Sequence, residues 1–412
     1  MRPVSSTRQL ESVPGKFSFS MAISLAKWWR QTPLVYLTAV LAIPSLDIVR
    51  KYTAMPGLIA YIPYVVLCIW LAERASVWLQ RPERRTLCRW LGVIALLGIG
   101  LLFAVLFPIA DVHVPGQGSD TNEAYDLAVR ALFDGRYPYR DVTYLGNRIH
   151  HLPGALLLSA PFVLLGSSAL QNLFWVAIYL LILVHLCDWP RGVALFLLVF
   201  TASPVLMHQI VTGSDGVMSG ISVFAVSWLF TYAWGSATIA IFWRHIALLL
   251  LALALSNRPN FAPIAVTAIA FVAHRLGGAR ALMAAMWLGA WLMLINLPFY
   301  LYDRAGFAPL EGLDRVTRFN ELLPHAGQLL PLAAFAITVW FATRKNAGSF
   351  AGFALGSGVT QAFLVVSSLL MSSIANGELD TGYAGYGCYF LFPLAYLCWQ
   401  SKSADTSFDA TS

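Results

Sequence analysis

Two carboxylates, Asp120 and Glu123, are the side chains best placed for chemistry, because they lie in a polar stretch between two apolar runs. They open residues 121–134, whose apolar residues recur on one face as in an amphipathic helix, and Gly135 follows as a stop signal. An aspartate at the N-cap with a glutamate three residues later is the pattern of a capping box. The same carboxylates, at the end of an apolar run, could accept a proton as a general base. The two roles are compatible.

Side chains that could hold an anion occur in the same polar stretch and at later breaks between apolar runs. Arg258 stands between two such runs, where an ionisable residue is costly unless it has a partner. His151 precedes Pro153 at the start of another run. For many of these residues the alternative is a loop charge that faces solvent or headgroups, and for His208 it is helix packing. The candidate binding residues are Tyr125, Arg140, Tyr144, Arg148, His150, His151, His208, Asp215, Arg258, Asn260, Arg315 and Arg318.

Transmembrane helices must position these residues. Hydrophobic residues make up 58% of the 412 and charged residues 11%, whereas a soluble domain is about one quarter charged. The composition predicts an all-α, polytopic transmembrane helical bundle of about 11–13 helices, with short interfacial helices in the first large extracytoplasmic loop. The net charge of +7 comes from short basic clusters between apolar runs, so we expect no nucleic-acid partner. The five cysteines lack metal-ligand spacing, and no metal site is expected.

Basic clusters in short loops mark the cytoplasmic side of a membrane protein. The clusters near residues 81–89, 275–280 and 344–345 place loops 111–151 and 303–324 outside. These two outer loops carry more than a third of all charged residues in less than a sixth of the chain. Residues 27–400 are predicted to form a single transmembrane domain, with a disordered cytoplasmic tail at 1–26 and a cytoplasmic tail at 401–412. The candidate spans are 33–50, 57–74, 90–110, 152–166, 169–187, 191–211, 215–234, 238–257, 260–273, 281–302, 325–343, 348–374 and 383–400.

One of these candidates cannot be a full span. An odd number of crossings must separate the outer loop that ends near residue 151 from the inner cluster near residue 275, yet six candidates lie between them. The segment 152–166 is short and contains Pro153 and Pro161, which makes it the better suspect. A break at Pro204 is the other possibility.

The outer loop also resembles a known superfamily. A carboxylate-containing outer loop, the run E-A-Y-x-x-A-x-x-A-L-x-x-G-R-Y-P-Y over residues 123–139, and a His-Pro entrance to the next span are similar to the GT-C membrane glycosyltransferases. These include protein O-mannosyltransferases and aminoarabinose transferases. The segment 204–216, with Asp215, resembles the superfamily's second acidic position, and 256–260 resembles a later polar break.

The resemblance implies a transferase in a bacterial inner membrane, with its site facing the periplasm. The donor would be a polyprenyl-phosphate sugar and the acceptor a glycan or glycolipid, with membrane lipid around both and neither metal nor other cofactor required. Asp120 would be the catalytic base with Glu123 in support, or Glu123 would be the base itself, because an Asp-Glu pair in much of the superfamily is replaced by Asn122-Glu123 here. The alternatives are a flippase or transporter of lipid-linked oligosaccharides and a protein of the O-antigen ligase or polymerase type.

Overall fold

The computed structural model describes residues 33–111, 113, 119–236, 238–313 and 317–409. The predicted tail at 1–26 and Arg315 lie outside the described residues. The described residues form an all-α helical bundle, and their only β-type pairing is an isolated bridge between Val142 and Arg148. The predicted fold class is therefore confirmed.

The helices alternate with short turns. They are α1 (Pro33–Ala42), α2 (Leu46–Leu79), α3 (Arg85–Ala110), α4 (Thr121–Phe133), α5 (Pro153–Leu164), α6 (Leu170–Cys187), α7 (Trp189–Ala202), α8 (Pro204–Val211), α9 (Gly216–Gly235), α10 (Ile241–Leu255), α11 (Ile264–Leu276), α12 (Gly278–Tyr302), α13 (Ala326–Ala342), α14 (Phe350–Asn376) and α15 (Cys388–Asp409). The last helix thus continues past residue 400, where the sequence predicted the last span to end.

Six helical stretches in the described chain are long and apolar enough to cross a membrane, and α7 with α8, bent by 78°, makes a seventh if the pair is one span. The chain is therefore an integral membrane protein, although fewer segments pass this test than the 13 candidate spans. Three further apolar helices, α5, α10 and α13, have only 12, 15 and 17 residues. At 1.5 Å per residue, about 20 residues are needed to cross the hydrocarbon core.

The first of those stretches, Leu34–Leu79, is folded back on itself. Ala54 lies inside α2 with φ 54° and ψ −161°, a backbone conformation that breaks the helix. The hydroxyl of Tyr61 lies 3.4 Å from the carbonyl oxygen of Leu41, although 20 residues of straight helix would separate the two residues by about 30 Å. The two candidates 33–50 and 57–74 are thus two arms of one hairpin.

Helix α5 enters and leaves the bundle at the same end. The backbone N–H of Gly154, near its start, donates to Ser256 Oγ over 3.1 Å. Just after its last turn, Ser168 donates from its hydroxyl to the carbonyl of Asn122 (3.0 Å) and from its N–H to Asp126 (2.8 Å). Both ends of this segment therefore contact residues at the same end of the bundle, which supports the prediction that 152–166 is the candidate that does not cross. The other five candidates between residues 151 and 275 would give the odd number of crossings that the loop assignment requires, although two of the helices there, α10 and α11, have only 15 and 13 residues.

The loops sort into two ends. The site end is formed by residues 111, 113, 119–151, 203–215, 256–260 and 303–313. At the opposite, basic end, Arg89 lies over the ring of Trp189, Arg275 donates to the carbonyl of Gly235, and His274 contacts that of Ala342. The predicted outer loops thus meet at one end and the predicted inner clusters at the other.

Candidate functional site

An ion pair between the buried Asp215 and the partly buried Arg258 forms the centre of the site end. Asp215 is the N-cap residue of α9 and follows a turn in which Gly213 has φ +67°, a conformation that favours glycine. Arg258 lies in the break after α10, where Pro259 starts a short 3-10 helix, Pro259–Phe261. Two helix ends therefore bring the two charges together.

Both nitrogens on one side of the guanidinium bind the same oxygen. Arg258 donates to Asp215 Oδ2 from Nε over 3.0 Å and from Nη2 over 2.5 Å. The side chain of Asp215 is 9% exposed and that of Arg258 is 20% exposed. Within the described part of the chain, Nη1 of Arg258 makes no hydrogen bond. One corner of the arginine is therefore available to a ligand.

His151 and Tyr125 complete the cluster. His151 Nε2 lies 3.3 Å from Arg258 Nη2 and 3.5 Å from Asp215 Oδ2, and its ring packs on Tyr125 with a centroid distance of 4.0 Å. The Tyr125 hydroxyl lies 3.3 Å from Asp215 Oδ2 and 3.5 Å from Asn257 Oδ1. Both His151 and Tyr125 are buried. All four residues were predicted site residues, and their side chains are in contact.

The electrostatics of the cluster follow from burial and pairing. Burial alone would raise the pKa of Asp215, but Arg258 and His151 outweigh it and hold that pKa below its usual value. Burial, helped by Arg258, lowers the pKa of His151 against the opposing effect of Asp215. Near neutral pH the cluster thus contains one aspartate anion, one arginine cation and a neutral histidine.

The two predicted catalytic carboxylates lie in the loop next to this cluster. Asp120 is the N-cap residue of α4, but its side chain makes no capping bond. Its Oδ2 instead accepts from Thr143 Oγ1 (2.5 Å) and Asn147 Nδ2 (2.8 Å), and Glu123 accepts from the N–H of Tyr144 (2.8 Å). The capping-box interpretation is therefore wrong, because both carboxylates fasten the turn at residues 143–147 to the start of α4.

Short contacts join the loop to the buried cluster. Ser214 donates to Ser119 over 3.0 Å, so the residues directly before Asp215 and Asp120 are hydrogen-bonded. A Cβ at Gly213 would lie 3.0 Å from the Cβ of Asn122. The absence of a side chain at position 213 is therefore what lets the two segments approach each other.

The remaining predicted residues are engaged elsewhere. In the outer loop, Arg140 pairs with Asp303 at 4.0 Å, Arg148 pairs with Glu311, and His150 contacts the carbonyl of Ala308 at 3.1 Å, so all three tie this loop to residues 303–311. His208 packs near Tyr52 with ring centroids 6.2 Å apart. Asn260 exchanges two hydrogen bonds with Gln361, and Arg318 lies over the rings of Phe319 and Tyr383.

Two residues of the site were not singled out from the sequence. Asp111, the first residue after α3, accepts from Asn122 Nδ2 over 3.1 Å. Asn257 contacts Tyr125 and donates to Ser219 over 3.0 Å. A signal existed for both, since Asp111 is the first carboxylate after a long uncharged run and Asn257 directly precedes Arg258.

This arrangement can bind an anion and remove a proton. Arg258 offers a fixed cation with a free nitrogen, and the carboxylates of Asp120 and Glu123 lie in the adjoining loop. Among the described residues, no group of three or more His, Cys, Asp or Glu side chains is arranged to hold a metal ion.

Comparisons with models of protein families, with curated proteins and with solved structures found no match to this chain.

Proposed function

We propose that this protein is a membrane glycosyltransferase that moves a sugar from a polyprenyl-phosphate donor to a glycan or glycolipid acceptor. The observation that carries the proposal is the partly buried Arg258 at one end of a membrane bundle. It keeps one nitrogen free beside a loop with two carboxylates. A lipid-linked phosphodiester reaches such a site from the bilayer, and an arginine suits its phosphate.

The transfer step follows from these groups. The acceptor hydroxyl oxygen forms a bond to the anomeric carbon while its proton passes to a carboxylate, which we assign to Asp120 with Glu123 in support. The bond between the anomeric carbon and the phosphate oxygen breaks, and its electron pair stays on that oxygen. The phosphate gains negative charge in this step, and the fixed Arg258 cation stabilises it.

The direct test is sugar transfer in proteoliposomes that contain the full chain and a panel of radiolabelled polyprenyl-phosphate hexoses and pentoses. Transfer of label to added glycolipid, with release of polyprenyl phosphate, is the expected result. Movement of intact donor across the bilayer without transfer would instead show the alternative transporter. The bent pair α7–α8 is a broken helix of the kind that transporters use, so this second outcome has a structural basis.

Arg258 provides the matched variants. In Arg258→Ala we expect loss of most of the transfer rate, and in Arg258→Lys we expect part of it to remain, because lysine keeps the charge without the planar fork. Arg304→Ala is the control, since Arg304 is an exposed arginine at the same end of the bundle that was not predicted to bind substrate. Full transfer by Arg258→Ala would return Arg258 to a packing role.

A further inference from the structure

Asp215 is a buried carboxylate that the proposed transfer step does not use. It is buried at the start of α9, and four polar groups surround its Oδ2: Nε and Nη2 of Arg258, the Tyr125 hydroxyl at 3.3 Å, and His151 Nε2 at 3.5 Å. Oδ2 therefore has little capacity left to accept a proton from a substrate, and Arg258 and His151 hold the pKa of the whole carboxyl group below its usual value, which makes Asp215 a weak base. We therefore expect Asp215 to act through its contact with Arg258 and not directly on the substrate.

The way in which Asp215 holds Arg258 fixes the direction of the free nitrogen. Because Nε and Nη2 both bind one oxygen, the guanidinium plane is held along one edge and Nη1 is left at the opposite corner. The anchor is itself fixed, since the carbonyl of Asp215 accepts from the N–H of Ser219 (2.9 Å) and that of Ser214 accepts from Asn172 Nδ2 (3.0 Å).

We propose that Asp215 is a positioning residue that holds Arg258 so that Nη1 meets the phosphate of the lipid-linked donor, and that Asp215 is not the base. This inference rests on the proposed function. It extends that function by giving the buried carboxylate a role in donor binding rather than in proton transfer.

The two possible roles of Asp215, neutralising Arg258 or positioning it, predict opposite changes in anion affinity when the charge of Asp215 is removed. If Asp215 only neutralised Arg258, Asp215→Asn would strengthen the binding of an anion, because a nearby negative charge is lost. If Asp215 positions the guanidinium, the same change weakens binding, because asparagine holds the fork without charge assistance. The sign of the change therefore separates the two roles.

The experiment measures binding of a sugar-free polyprenyl phosphate to the full chain in detergent, together with kcat and the KM of donor and acceptor. For Asp215→Asn we expect binding weaker by roughly ten- to a hundredfold and a raised donor KM. The acceptor KM and the shape of the kcat–pH profile should stay unchanged. Asp188→Asn is the matched control, because Asp188 is an N-cap aspartate at the basic end that accepts from the N–H of Arg191.

Two further variants keep the test decisive if Asp215→Asn does not fold. Asp215→Glu keeps the charge but moves it by one methylene, so the donor KM should rise more than kcat falls. The double variant Asp215→Arg with Arg258→Asp exchanges the two charges. It restores an ion pair but leaves no cation at position 258, so it should not restore phosphate binding. Recovery of binding in this double variant would show that the pair is only structural and would overturn the inference.

The outcomes distinguish the two proposals. If the wild-type chain neither binds polyprenyl phosphate nor transfers sugar, the proposed function fails whatever the variants do. If the wild type transfers sugar and Asp215→Asn binds the phosphate as tightly or more tightly, only the positioning role fails. A lowered kcat with a shifted pH profile and unchanged donor binding would make Asp215 the base, and it would also overturn the inference.

Discussion

At the scale of single residues, the carboxylates of the outer loop have two tasks at once. Asp120 accepts hydrogen bonds from Thr143 and Asn147, and these bonds hold the loop. We also propose that Asp120 takes up the proton of the acceptor hydroxyl during transfer. Only Oδ2 takes these bonds, and within the described residues Oδ1 has no hydrogen-bond partner. The two tasks can therefore be separated by substitution.

Asp120→Asn should fold like the wild type and transfer sugar at least about a hundredfold more slowly, because the amide keeps the shape but cannot accept the proton. Thr143→Val is the control: it removes one of the loop's hydrogen bonds and leaves the carboxylate. Initial rates of both variants, at matched expression, check this. A near wild-type rate in Asp120→Asn with an inactive Glu123→Gln would make Glu123 the base, and activity in both variants would refute the mechanism.

His151 gives a prediction for stability against pH. Burial lowers its pKa below the ordinary value of 6.5, so the unfolded chain binds a proton more readily than the folded one. The stability contributed by a neutral His151 is therefore complete above about pH 6.5 and is lost as the pH falls below that value. The lowered pKa of Asp215 acts in the same direction only at a more acidic pH, below the ordinary aspartate value of 3.8.

We accordingly expect the Tm in detergent to fall between pH 6.5 and 5, and to fall less in His151→Gln. Thermal unfolding at several pH values checks this, with His245→Gln, which changes a histidine near the basic end, as the control. An equal slope in the wild type and in His151→Gln would contradict the assignment of a buried neutral histidine.

At the scale of elements, the close approach of α5 to α10 makes the site. A Cβ at Gly154 would lie 2.5 Å from the carbonyl oxygen of Leu253 and 2.6 Å from the Cβ of Ser256. Only glycine permits this contact. The contact also sets the position of His151 relative to Arg258, because His151 lies a few positions before Gly154 and Arg258 a few positions after Leu253 and Ser256.

Gly154→Ala should therefore destabilise the protein by about 1–3 kcal/mol and lower transfer more than its Tm shift explains. Gly98→Ala is a matched control, since a Cβ at Gly98 meets nothing within 4 Å. Thermal unfolding and transfer rates of the two variants check this. Equal stability in both would show that α5 can move away without cost.

The sequence predicted the elements better than their contacts. Hydropathy located the apolar helices, because it follows from local composition. The parity of crossings predicts that one candidate does not span, with 152–166 as the better suspect, and that remains a prediction. Neither signal shows which polar residues meet. The reciprocal bonds of Asn260 with Gln361 join residues 101 positions apart, and the turn at 143–147 takes the carboxylates that local sequence assigned to a helix cap. Contacts of this kind depend on tertiary packing, which periodicity does not encode.

At the scale of the whole molecule, charge divides the two ends, and labelling can assign them to the two sides of the membrane. In a variant without its five native cysteines, Gly118→Cys and Leu165→Cys should both react with an impermeant maleimide in intact spheroplasts. Lys345→Cys should react only after permeabilisation, because it lies in a basic cluster that marks the cytoplasmic side.

Opposite labelling of Gly118→Cys and Leu165→Cys would show that α5 crosses the membrane. Labelling of Gly118→Cys only after permeabilisation would reverse the topology and remove the case for a donor on the outer face.

The path of α5 has a mechanical consequence. A helix of 12 residues that returns to the face it entered occupies one leaflet and leaves the other untouched. With a length of about 18 Å and a diameter of about 10 Å, it displaces roughly 180 Å² of lipid from that leaflet alone. The lateral pressure of that single monolayer then acts on the helix that directly follows His151, whose ring contacts Arg258.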